Sequence, residues 1–158
     1  MSDTMLRQQL VEFLDGKGAH ASTLESLKKI PASRYASKPK GSPHNAWQLL
    51  EHIRFTLHDL IDFCTNAKYE TPNWPSDYWP KADAPADSHA WEDSVDRLRR
   101  DIQKFQALVR DPQTDLYQEI PWGDGQTILH EALLAIDHTS YHIGQFVMLR
   151  KQLDAWTD

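Results

Sequence analysis

Two histidines, His138 and His142, stand four residues apart near the end of this chain. On a helix that spacing puts both rings on one face, a turn apart, where they can chelate a single ion. Two readings fit the pair taken alone: a hydrogen-bonded couple inside the core, or two ligands of one metal. The segment is not a zinc-protease helix, because Thr139 follows His138 where H-E-x-x-H carries its glutamate. A third ligand has to come from another helix, and His52 is the best-placed candidate. On a helical wheel it sits on a boundary flank, about 140° from the centre of its helix's apolar stripe and about 60° from Leu49.

Three neutral imidazoles leave a divalent ion its full charge and at least one open position, the arrangement of catalytic and not of structural zinc. A water there becomes more acidic and a thiol is deprotonated, so two reaction types follow. One transfers a thiol to an electrophile; the other is hydrolysis, which needs a general base nearby. The carboxylates on offer do not certify one. Glu131 shares the histidine stripe but lies about 10 Å before His138 along the axis, too far to ligate. Asp137 and Glu51 each precede a proposed ligand and point about 100° away from it, toward a helix interface or the surface. Gln145 is closer in phase, as a group that orients an imidazole or as packing. His58, His89 and His130 read as surface or loop residues, and His20 stands at a helix break. Cys64 reads as a small buried hydrophobe. Tyr78, Trp79 and Tyr141 are candidates for a pocket wall, and no catalytic residue is assigned.

The elements that must carry these residues follow from apolar periodicity. Leu6, Leu10, Phe13 and Leu14, then Leu24, Leu27 and Ile30, predict a first helix broken near Gly16 and Gly18. A second helix starts near His44 or Asn45, a possible N-cap, and runs to about Asn66. Residues 68–88 hold four prolines and predict a long connection whose aromatics argue for order. Trp91, Val95, Leu98, Ile102, Phe105 and Val109 mark a third, amphipathic helix. After the turn signature "PWGDGQ", Thr127 is placed to cap a last helix reaching about Gln152. That helix is apolar almost all round, which places it near the centre or against a second subunit. The expected fold is all-α, a four-helix bundle in one domain with a long crossover between helices 2 and 3.

Composition narrows the function classes. Seventeen basic and 23 acidic residues give a net charge of −6, which disfavours a nucleic-acid partner. No stretch reaches the roughly 18 consecutive apolar residues of a membrane span. A single cysteine allows no internal disulfide, and the first residues lack a signal-peptide pattern, so a cytoplasmic setting is expected.

The phrases "AWQLLEHIRFTLHDLIDF", "WPSDYWP", "PWGDGQTILHEALL" and "LLAIDHTSYHIGQFVMLRKQLDAW" resemble the DinB-like superfamily of metal-binding helical bundles over nearly the whole chain. The specific element is H-x-x-x-H-x-G-Q, here His138, His142, Gly144 and Gln145, joined to His52 in a W-x-x-L-x-H-like segment. The resemblance implies that His52, His138 and His142 coordinate a divalent transition metal, zinc or nickel, with a position left for water or a thiolate. It implies a small-molecule substrate and a thiol S-transferase using a low-molecular-weight thiol, as relatives use mycothiol or bacillithiol. A metal-dependent hydrolase and a non-catalytic metal-binding or stress-response protein are the alternatives. One departure is Ile143, where many members carry arginine. The apolar breadth of helices 2 and 4 adds the expectation of a homodimer.

Overall fold

The computed structural model describes residues 3–156. Its regular structure is helical: α1 (Thr4–Leu14), α2 (Thr23–Leu27), a 3-10 turn at Ala32–Arg34, α3 (Ala46–Thr65), α4 (Ala90–Arg110) and α5 (Ile128–Gln152). Among the described residues there is no strand, and the pairing of Glu119 with Thr127 is an isolated bridge. No helix among them is long and apolar enough to cross a membrane.

The N-terminal segment expected as one interrupted helix is two separate ones. Gly16 adopts a φ of +74°, and a Cβ there would come within 2.8 Å of the Thr23 nitrogen, so the chain turns back tightly on glycine. Ser22 restarts the helix by accepting from the Glu25 N–H. It lasts five residues, because Lys28 is extended, Lys29 takes a φ of 58° and Pro31 follows. Ile30, counted as helical from its spacing, is buried but lies beyond the end of α2.

The start of α3 is a capping box, in which Asn45 accepts from the Gln48 N–H at 2.9 Å and Gln48 accepts from the Asn45 N–H at 3.0 Å. The same two side chains also hold the connection that follows α3. Asn45 Nδ2 donates to the Asp83 carbonyl at 2.8 Å and Gln48 Nε2 to the Asp83 carboxylate at 2.7 Å. The cap therefore anchors the segment that delivers Tyr78 and Trp79 to the interior. At the other end of the chain, Thr127 caps α5 by accepting from the His130 N–H.

Polar contacts give the helix directions. Glu51 meets Ser94 and His58 meets Asp101, so α3 and α4 run the same way. Arg7 meets the Val109 carbonyl and Gln106 the Val11 carbonyl, so α1 and α4 oppose. Helix α5 packs on all four others. Leu50, Ile53, Leu98, Phe105, Ile143 and Phe146 are fully buried among them. The α4 stripe is buried as its periodicity predicts, with Val95 only half-buried. The even apolar coverage of α5 is not all used: Leu133, Leu134 and Met148 face outward.

Arg150 joins the short α2 to the end of α5. It is 2% exposed and donates to the carbonyls of Ser26 at 2.7 Å, Lys28 at 2.9 Å and Ala155 at 2.6 and 2.8 Å. Arg150→Leu strands these acceptors and is expected to cost on the order of 3 kcal/mol. The loss is read from the midpoint of urea unfolding; an unmoved midpoint would show that the clamp does not hold α2.

Candidate metal centre

Helix α3 presents His52 and helix α5 presents His138 and His142 to a common point. The His52 Nε2 lies 3.1 Å from the Nε2 of His142 and 3.1 Å from that of His138. The three ligand atoms all fall within 4.8 Å of one another. His52 and His142 are buried, and His138 is half-buried.

The partners of the outer ring nitrogens decide what the inner ones can do. His52 Nδ1 sits 2.8 Å from the Tyr78 carbonyl, which only accepts, so Nδ1 carries the proton. His142 Nδ1 sits 2.8 Å from the Gln145 side-chain oxygen and is protonated for the same reason. Each Nε2 is then a bare lone pair, and the two face each other at 3.1 Å with no proton to share. A cation between them removes that repulsion, and the pattern of an outer N–H bonded to a carbonyl is how metal-bound imidazoles are usually oriented. The donor set therefore fits a divalent ion.

Electrostatics keep these rings neutral. Burial lowers the His52 pKa to about 4, against the opposing pull of the Tyr78 carbonyl and with help from His142 and His44. Burial, then His142 and His52, lowers His138 to about 3. His142 is lowered by burial and partly restored by Gln145. Around neutral pH the lone pairs are free for a metal.

The Trp79 indole closes one side. It is stacked between His44 and His52, with ring centroids 3.8 and 3.9 Å away and planes within 13° and 2°. A cleft of about 260 Å³ lies beside the site, with Gln145, His44, Lys40, Leu49 and Met148 in its wall and none of the three histidines lining it.

A model of the DinB superfamily matches residues 17–146. The chain belongs to the DinB superfamily. No curated protein and no solved structure matches it. The DinB match takes in all three histidines and the segment carrying Tyr78 and Trp79.

The other candidates fall into place around this DinB site. Gln145 orients His142 by accepting a hydrogen bond from its Nδ1, where sequence phase had left orientation and packing open. Glu131 is buried but takes no part in the cluster. Asp137 is exposed, and Glu51 pairs with Arg54 and Ser94 at the α3–α4 interface. His58 lies toward solvent beside Asp101, and His89 and His130 are exposed. His20 is exposed, with its ring 3.3 Å from the Ser140 hydroxyl on the outer side of the histidine pair. Cys64 is buried and its thiol is pushed up to about 12, by burial first and the Glu131 charge second. Tyr141 is exposed and meets His142 edge-on at 4.9 Å. Ile143, the departure noted in the sequence, is 1% exposed in the core. His44 and the Tyr78 carbonyl were missed as site groups. Their only sequence signal was the aromatic density of "WPSDYWP", which does not say which ring or carbonyl meets which histidine.

Proposed function

We propose that this chain is a metal-dependent enzyme that binds a zinc or nickel ion through His52, His138 and His142 and joins a low-molecular-weight thiol to an electrophilic small molecule. The observation that carries the proposal is the pair of bare Nε2 lone pairs held 3.1 Å apart by protons fixed on their outer nitrogens. Among the described residues no Cys, Asp or Glu joins the three histidines, so the donor set leaves room for a reactant. When bound, such an ion supplies Lewis acidity that favours the deprotonated form of a thiol reaching it.

The rest falls to the protein. Tyr78 and Gln145 hold the rings of His52 and His142, and Trp79 and His44 keep water off one face. The thiol proton leaves to solvent, the sulfur lone pair forms a bond to the electrophilic carbon, and the leaving group departs with its bonding electrons. Hydrolysis is the weaker reading, because it calls for a base and no carboxylate stands in the cluster. On this reading α1, α3, α4 and α5 form a four-helix bundle, with residues 66–89 as its crossover, in a single cytoplasmic domain. Leu133, Leu134, Tyr141 and Met148, exposed along α5, suit a homodimer.

The test uses untagged protein, a zinc or nickel supplement, a panel of small thiols and bromobimane as electrophile. The expected result is conjugation above the buffer rate that disappears in His52→Ala. A rate equal to buffer with every thiol, in protein that retains its ion, would contradict the enzyme and leave a metal-binding protein without turnover.

A further inference from the structure

A second cavity, of about 430 Å³, lies along the same α3–α5 groove. Asp59, seven residues after His52, and Glu131, seven before His138, both line it, so it sits two turns or about 10 Å from the triad. Phe63, Tyr69, Trp122 and His130 complete the wall that matters here.

The two acids are treated differently. Both oxygens of Asp59 are occupied, by the Tyr69 hydroxyl at 2.9 Å and the Tyr78 hydroxyl at 2.7 Å. Glu131 is 3% exposed, lines the cavity and receives no hydrogen bond from the described residues, and its oxygens are not among the fully enclosed unpaired atoms, so a donor must come from the cavity. Its ion pair with the exposed His130 spans 4.0 Å, beyond hydrogen-bond reach. A carboxyl so placed is a cost to the fold unless something donates to it. The walls are pre-set, because the Trp122 N–H donates to the Phe63 carbonyl at 2.7 Å and Phe63 meets Tyr69 edge-on at 5.1 Å.

An inorganic cation fits poorly. It needs several oxygens converging on one point, and among the described residues the histidine triad is the one group of metal-ligating side chains so arranged. Two negative charges beside aromatic faces suit an ion that is part charge and part hydrocarbon. We propose that this cavity binds a small primary amine as its ammonium form, with the nitrogen donating to Glu131 and the apolar body packed on Phe63, Tyr69 and Trp122. Asp59 adds attraction without giving up its tyrosines.

Calorimetric titration of the full chain with phenylethylamine at neutral pH tests this, with phenylethyl alcohol as the neutral twin. Binding of the amine is expected, with the alcohol and the Glu131→Gln variant each weaker by about tenfold or more, the effect of losing one charge-assisted hydrogen bond. Removing an unpaired buried charge should not lower the melting temperature of that variant. Should Glu131→Gln fail to fold, Trp122→Leu at the cavity rim carries the same expectation of weaker amine binding. Equal affinity for amine and alcohol, unchanged affinity in the variant, or no heat from the amine at millimolar concentration would each overturn the proposal. None of these readouts involves the metal, so the outcome stands apart from that of the thiol assay.

Discussion

Replacing His52 with alanine is expected to lower the affinity of the chain for a divalent transition ion by more than about 100-fold. The reasoning is comparative: partners that only orient a ligand are worth about 10–100-fold in affinity, so a ligand itself should exceed that range. His52 is the informative choice because it is the sole contribution of α3, and without it α5 offers two imidazoles and no more. Gln145→Leu removes the acceptor that fixes His142 and should lose about tenfold. His58→Ala, on the same helix but facing solvent, should change nothing. Competition titration against a chromophoric chelator ranks the four proteins. If His52→Ala and His58→Ala bind alike, α3 does not take part in the site.

Acid should destabilise the metal-free protein, and the direction follows from the same histidines. Their folded pKa values, about 4 for His52 and about 3 for His138, lie below the ordinary 6.5 they recover on unfolding. Below pH 6.5 the unfolded chain thus takes up protons that the folded chain refuses. Stability is complete above that pH and falls as pH drops toward 4, by about 1.4 kcal/mol per pH unit for each ring kept neutral. Glu131 runs the other way, since burial raises its pKa and its penalty eases as it protonates. Urea unfolding at a series of pH values measures the slope, and His138→Ala should flatten it. A profile that is flat between pH 6.5 and 4.5 and indifferent to that substitution would mean the rings are not held neutral.

The sequence made some of this legible and left other parts out of reach, for identifiable reasons. The starts of α3 and α5 are written locally, in Asn45 with Gln48 and in Thr127, because a cap needs only residues within one turn. The His138–His142 pair is equally local. His52 is not: its wheel position marks a boundary, yet it is 1% exposed, because Trp79 is laid over it from the connection after α3. Apolar periodicity reports burial by neighbouring helices and is silent about burial by a loop. The resemblance supplied what the periodicity lacked. The break in the N-terminal helix was visible at Gly16, but not the early end of α2, since Lys29 at positive φ carries no signature in its residue type. Tyr78 could be suspected as a pocket residue, but not that it would serve through its backbone carbonyl to His52 and its hydroxyl to Asp59.

Elemental analysis of untagged protein, dialysed against zinc and freed of excess, bears most directly on the convergence of α3 and α5 upon one ion. One equivalent per chain in the wild type, falling well below that in a folded His52→Ala variant, is the predicted result. A folded wild type that retains no ion, or a variant that retains as much as the wild type, would contradict it.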